Sequence, residues 1–335
     1  MKPFGFYAIT AAVAFWASAQ ARSEDRPDVQ IKVEEKSIDF TVGKDLVARY
    51  HFGPEVAKPY LWPVYGPGGR AVTRSWPMDP ASAGSKDHVH QKSAWFCHGD
   101  VIPQGLPLKQ KVKGVEGVDF WAEGPGRGRI VCTHVGTPQT KGGHGQIETR
   151  NEWRTADGTK ILDERRRIQL VDFGEARLLI FDIDLHANAA PITFGDTKEG
   201  SFGIRINDAI REQTRKGKIE NADGKVGELS CWGRQSAWCD YSGVIDVKAV
   251  GLAILDHPAN PCRACWHSRA YGSIAANPFG RGHSGFPAMK GRTDLVKLAK
   301  GEHLRLRYGL LIHPGDAKEG KVADYYEQFA KLNGG

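Results

Sequence analysis

Apolar and polar side chains alternate along much of this chain. Leu179, Phe181, Ile183 and Leu185 fall on one side of an extended backbone, with Asp182, Asp184 and His186 on the other. A period of two is what a strand with one buried face requires. The pattern returns at Leu304, Leu306, Tyr308, Leu310 and Ile312, interleaved with Arg305 and Arg307. Further strands are predicted at 29–33, 46–52, 129–135, 145–154, 161–171 and 247–255. Clusters of Gly, Pro, Asn and Asp separate them, and 40 glycines and 18 prolines supply the turns. The period changes to a helical one only near the end, where Val322, Tyr325, Tyr326 and Phe329 share a face and Asp316 and Glu319 have capping-box spacing.

So many antiparallel strands must stack two sheets or close a barrel to bury their apolar faces. The expected fold is all-β: one large antiparallel β-sandwich over residues 22–335, with a C-terminal helix packed on a sheet. No repeat, linker or low-complexity tract divides it.

The amino terminus departs from this pattern. Lys2, an apolar run over 4–16 and small residues over 17–21 precede the charged stretch 22–26, the three-part plan of a secretory signal with cleavage after Ala21. The apolar run is shorter than the roughly 20 residues of a spanning helix, and no later stretch reaches that length. Residues 1–21 are therefore read as a signal peptide, the location as secreted or periplasmic, and no stable membrane insertion is expected after cleavage.

The whole chain carries a net charge of +7, which becomes +6 once Lys2 is removed. Basic residues are interspersed, with short clusters at Lys109, Lys111 and Lys113 and at Arg165, Arg166 and Arg167, so no nucleic-acid partner is expected. A mild positive balance suits an anionic partner such as an acidic polysaccharide. Six cysteines (Cys97, Cys132, Cys231, Cys239, Cys262 and Cys265) allow disulfides in an oxidising compartment. Cys231 with Cys239 is the favoured pair, because a short hairpin would join them. Cys262 and Cys265 have redox or zinc spacing but lack the second pair that a structural zinc site needs.

Four segments carry candidate chemistry. Asp87 to Asp100 holds His88, His90 and His98, two carboxylates and the Trp95–Phe96 pair; imidazole is the side chain that serves as acid, base or metal ligand near neutral pH. If 87–90 is extended, His88 and His90 face one side, where they would flank a substrate or bind a divalent metal. Phe194 to Arg205 presents Asp196, Lys198, Glu199 and Arg205 among glycines, expected as a tight turn that pairs acid with base and aims a guanidinium at a carboxylate or oxyanion. Trp238 to Gly243 reads as an aromatic–acid turn containing Asp240 and Tyr241, of the kind that binds a pyranose. The fourth runs from Asp256, His257 and Asn260 through Trp266, His267, Arg269 and Tyr271 to Asn277, at the end of the strand predicted at 247–255, where loops over a rigid sheet carry function.

These segments, together with Val118-Asp119-Phe120-Trp121, resemble in order a family of secreted bacterial proteins of unknown function that goes by the name PmoA family, or methane oxygenase PmoA. The likeness runs through nearly all of the mature chain. This chain departs from the pattern at Val89-His90-Gln91-Lys92, where the family has Pro-His-His-Arg, at Ala270, where it has an acid, and by an insertion over 102–117. The membrane-embedded subunit that the name evokes crosses the bilayer several times, and this chain has no such segments. The strand pattern looks instead like the galactose mutarotase-like supersandwich of sugar epimerases, glycoside hydrolases and polysaccharide lyases, a likeness of fold that does not fix function.

The leading expectation is a secreted enzyme acting on a saccharide, anionic ones included, by acid/base chemistry as a lyase, epimerase or hydrolase. His88, His90, His98, Lys198, Glu199, His257 and His267 are its candidate catalytic groups. Trp95, Asp100, Asp196, Arg205, Asp240, Tyr241, Asn260, Trp266, Arg269 and Asn277 are its candidate binding groups. Two other classes stay open: a non-catalytic glycan-binding or envelope protein, and a metal-dependent oxygenase centred on His88 and His90.

Overall fold

The structure, a computed structural model, describes residues 27–332 apart from residue 67. The expected signal peptide lies outside the described residues. Two large antiparallel sheets make the body. One runs Val29–Val33, Ser37–Val42, Asp45–His51, Tyr60–Val64, Ala94–His98, Gly200–Arg205, Ser273–Asn277, Cys265–Trp266. The other runs Gly217–Asn221, Trp238–Ile245, Lys248–Asp256, His303–Pro314, Arg177–His186, Lys160–Asp172, His144–Arg154, Arg129–Val135. A small third sheet joins Val296–Leu298, Ile192–Phe194 and Val101–Pro103.

The apolar faces of the large sheets press together. Phe202 of the first lies 4.8 Å from Phe181 and 5.5 Å from Tyr308 of the second, and Phe96 lies 6.0 Å from Trp153. This is the expected sandwich, and each large apolar side chain fully buried in it contributes about 1.5–3 kcal/mol. The helix Val322–Lys331 covers the outer side of the second sheet, where Val322 and Phe329 pack with Leu178, Ile180 and Leu311. Asp316 and Glu319 do exchange backbone-to-carboxylate bonds, at 3.2 and 3.0 Å. They close a turn ahead of the helix rather than its first turn, because Lys321 interrupts with φ 51°. Among the described residues no helix is long and apolar enough to cross a membrane.

Every strand expected from alternation is present within two residues at each end. Several of the most central strands were not expected. Ala94–His98, Gly200–Arg205 and Ser273–Asn277 are buried at every position, since the core lies beneath them and loops lie above. With both faces covered, the period-two signal disappears. The expected turn over 194–205 therefore contains the whole strand Gly200–Arg205, and that over 238–243 lies within the strand Trp238–Ile245.

All six cysteines are free thiols. Cys231 and Cys239 are brought into hydrogen-bond contact but are not joined. Cys265 packs in a small apolar cluster with Phe286 and Met289.

Candidate active site

Loops that connect the central strands of the first sheet gather over the face turned away from the second. The segment before Ala94–His98 brings His88, His90 and Gln91, and the one before Gly200–Arg205 brings Thr197, Lys198 and Glu199. The connection between Cys265–Trp266 and Ser273–Asn277 brings His267, Arg269 and Tyr271. With Asp119 and Trp121 they line a cleft of about 500 Å³. Gly99, Gly114, Val115, Thr197, Lys198 and Glu199 also border an adjoining hollow of about 660 Å³, which adds Asp100 and Asp196.

Aromatic rings support the cleft, Trp121 lining it and Trp95 packed beneath Trp121 in the core. Trp95 and Gly203 are register partners on neighbouring strands, and a Cβ on Gly203 would stand 2.8 Å from Trp95 Cζ2, so the ring lies over a position that only glycine leaves open. Trp121 meets Trp95 edge-on at 5.2 Å and faces His90 at 6.4 Å. The Trp121 loop is pinned from below by Lys58, which donates to Trp121 O at 2.8 Å and to Glu123 at 3.2 Å. Asp119 accepts from Trp121 N, Ala122 N and Arg127.

The histidine segment is not extended. His88 has φ 44°, and Gln91 N donates to His88 O at 2.9 Å to close a turn. The two rings nevertheless reach the same cleft, with centroids 5.8 Å apart. Asp87 organises the turn: Oδ1 accepts from Arg74 at 2.6 Å and Arg205 at 2.8 Å, and Oδ2 lies 2.7 Å from His88 Nδ1. Burial alone would raise the pKa of Asp87, but the Arg205 guanidinium and the donors around it hold the carboxyl below the usual range. Against an ionised carboxylate His88 Nδ1 carries the proton, which leaves Nε2 as an acceptor. Arg205 is itself fully buried, donates to Gln91 Oε1 at 2.7 Å and lies 4.5 Å from the Tyr271 ring, which stacks on His88 at 4.9 Å. The expected contact of Arg205 with substrate is thus corrected: its guanidinium is engaged in holding Asp87 and Gln91.

The other polar groups of the cleft are differently placed. Burial raises the pKa of Glu199, with Lys198 acting against it and Asp119 with it. Burial lowers His267 to about 3, aided by the nearby charges of Arg269, Lys198 and His88. His90 falls to about 4, first through burial and then through Lys58 and His88. Both imidazoles are therefore neutral at neutral pH and suit hydrogen bonding better than proton donation. The side chains of His90, Lys198, Glu199 and His267 make no hydrogen bond or ion pair among the described residues, and His267 Nδ1 is buried without a partner. Arg269, by contrast, is steadied by Glu228 at 3.2 Å.

Other expected site residues are elsewhere or serve the scaffold. His98 is fully buried between Phe194 and Phe279, bonds Gly195 O at 2.9 Å and is lowered to about 4 by burial, so it is a core residue. His257 and Asn260 belong to a separate hollow of about 600 Å³ beside Arg307 and Asp182 of the second sheet. Asn260 closes its own loop by donating to Asp256 and Arg307 O. Asp240 pairs with His313 at 2.8 Å, both fully buried, and Tyr241 bonds Glu212 N and Ala270 O inside the core. Trp95 and Trp266 are buried, and Trp266 donates to Ser236, so neither presents a ring for stacking. Asn277 donates to Thr197 O, and Asp196 accepts from the amides of Arg281, His283 and Ser284, which fixes the Lys198 loop. Asp100 borders the adjoining hollow and accepts from Gly117 N at 2.7 Å.

Asp119, Trp121, Gln91 and Tyr271 line the cleft without having been singled out. All four stood within motifs already noted, whereas nothing in the sequence pointed to the supporting Lys58. Among the described residues no three His, Cys, Asp or Glu side chains group closely enough to hold a metal ion, so His88 and His90 have no third ligand.

The model of a family of unknown function, DUF6807, matches residues 37–327. The chain belongs to the DUF6807 family. The expected membership of the PmoA family is corrected by that match, and with it goes the methane oxygenase name. No curated protein matches this DUF6807 chain. Among solved structures it is similar to the GH36 α-galactosidases AgaA and AgaB of Geobacillus stearothermophilus, each at 8% identity with TM-scores of 0.42 and 0.43, over 87% and 86% of this chain and 41% of each enzyme. A glycoside hydrolase family 97 variant from Pseudoalteromonas sp. strain K8 follows at 10% identity and TM-score 0.36, over 79% of this chain and 34% of that one. The chain thus spans about two-fifths of the length of the galactosidases it matches.

Proposed function

We propose that this DUF6807 protein is a carbohydrate-active enzyme whose acid/base chemistry takes place in the cleft between His88 and Glu199. One observation carries the reading: His90, Lys198, Glu199 and His267 converge on one cleft with no internal partner for their side chains. Buried polar groups are nearly always satisfied within a native protein, so the partnerless buried Nδ1 of His267, beside the solvent-reached side chains of His90, Lys198 and Glu199, calls for a ligand rich in hydroxyls. Neutral His90 and His267 are suited to orient such hydroxyls. His88, oriented by Asp87, is the base, and Glu199, whose burial helps it keep a proton, is the acid.

The test is incubation of the protein with a panel of neutral and acidic oligosaccharides, following new reducing ends, unsaturated ends and epimer composition. Turnover that is lost in Glu199→Gln and in His88→Gln, with folding unchanged by circular dichroism, is the expected result. Saccharide binding without turnover would place the protein among binding modules instead.

A further inference from the structure

The two carboxylates that line the cleft are not equivalent. Asp119 is committed to Arg127 and to the amides of Trp121 and Ala122, while Glu199 has no such partner. Glycoside hydrolysis of the usual kind needs two free carboxyl groups across the scissile bond. This cleft supplies one. The same cleft is lined by an oriented imidazole, His88, and by two basic side chains, Lys198 and Arg269. The segment 102–117 adds exposed Lys111 and Lys113 beside Gly114 and Val115 at the cleft border.

Resting on the reading that the cleft acts on a saccharide, we infer that the substrate is a uronate-containing saccharide, cleaved by β-elimination. A carboxylate at C5 is held by Lys198 and Arg269, which offset the charge that builds on it when the neighbouring proton leaves. His88 Nε2 takes the C5 proton, and the C–H electron pair passes into the carboxylate as an enediolate. That pair then forms the C4=C5 double bond as the C4–O bond breaks, and Glu199 gives its proton to the departing oxygen. The products are an unsaturated uronate and an alcohol. His88 and Glu199 return to their starting states through solvent, and no oxidant or reductant is consumed.

The experiment uses the full chain with oligomers of galacturonate, glucuronate, mannuronate and guluronate, each beside its carboxyl-reduced neutral counterpart. Ultraviolet absorbance reports the conjugated double bond, a reducing-end assay reports any cleavage, and NMR in heavy water reports loss of the C5 proton. The expected result is an unsaturated product from a uronate and none from its neutral counterpart. Lys198→Gln, at an exposed side chain without internal partners, should keep the wild-type melting temperature and lower kcat/KM by about ten- to a hundredfold, the loss of one charge-assisted hydrogen bond. Saturated reducing ends from any substrate overturn elimination while leaving a saccharide-cleaving enzyme in place. Cleavage of neutral oligomers equal to that of uronates overturns the anionic substrate. A panel silent in all three assays overturns this inference and the proposed function together.

Discussion

Arg205 Nη2 lies 2.8 Å from Asp87 Oδ1 across 118 positions of sequence. Through that pair a buried strand residue orients the imidazole of His88 at the cleft, and Asp87→Asn tests the arrangement. The amide keeps the shape but no longer favours a proton on His88 Nδ1. We expect kcat to fall about a hundredfold with KM little changed, as for loss of a positioned base. Nitrogen NMR of the ring should show the Nδ1–H tautomer dominant in the wild type and depleted in the variant.

The contact of Gly203 with Trp95 makes a second prediction. A methyl group at 203 stands 2.8 Å from Trp95 Cζ2 in a strand buried on both faces, so Gly203→Ala should cost about 1–3 kcal/mol through overpacking. Displacement of Trp95 pushes Trp121, so saccharide affinity should fall along with the melting temperature. An unchanged melt would show that the core beneath Trp121 is not tightly packed.

Glu199 gives the pH dependence. Its folded pKa is raised, chiefly by burial, so the proton donor is lost as pH rises through that value and kcat should decline there. The stability sign follows from the same shift: the folded state binds the proton more tightly than the unfolded chain, so the group favours folding at acid pH and that contribution is lost as pH rises through the folded pKa. Glu199→Gln should therefore be inactive, should melt higher than wild type at neutral pH, and should lose that advantage below the ordinary Glu pKa of about 4.3. Thermal melts across pH check it.

Asp240 and His313 form the corresponding buried pair in the scaffold. Burial works to lower the His313 pKa, but the Asp240 carboxylate at 2.8 Å prevails and raises it. Its stabilisation is complete below the unfolded pKa of about 6.5 and is lost as pH rises through the folded value. Asp240→Asn should cost about 3–5 kcal/mol at acid to neutral pH, as expected for breaking one side of a buried pair. Urea unfolding should show that deficit shrinking in alkaline buffer, with no change in saccharide affinity.

The half-buried strands were legible because alternation survives wherever one face meets solvent, as in His144–Arg154 and the second half of Arg177–His186. Ala94–His98 and Gly200–Arg205 were not, because loops cover the outer face and every position is buried. The candidate site divides on the same line. His88, His90, Lys198, Glu199, His267 and Arg269 were picked out by residue type and do share a cleft. His98, Trp95, Trp266 and Asp240 were picked out by the same criterion and are core residues.

Alternation and turn chemistry, read from the sequence alone, determined an all-β sandwich with a C-terminal helix, because side-chain periodicity is local and follows directly from strand and helix geometry. The tertiary structure decided which polar side chains face the cleft and which are buried against partners. Arg205 and Lys198 stand seven positions apart, yet one is sealed beneath Tyr271 and the other is exposed. That difference depends on what a distant segment lays over each residue, and no local pattern records it.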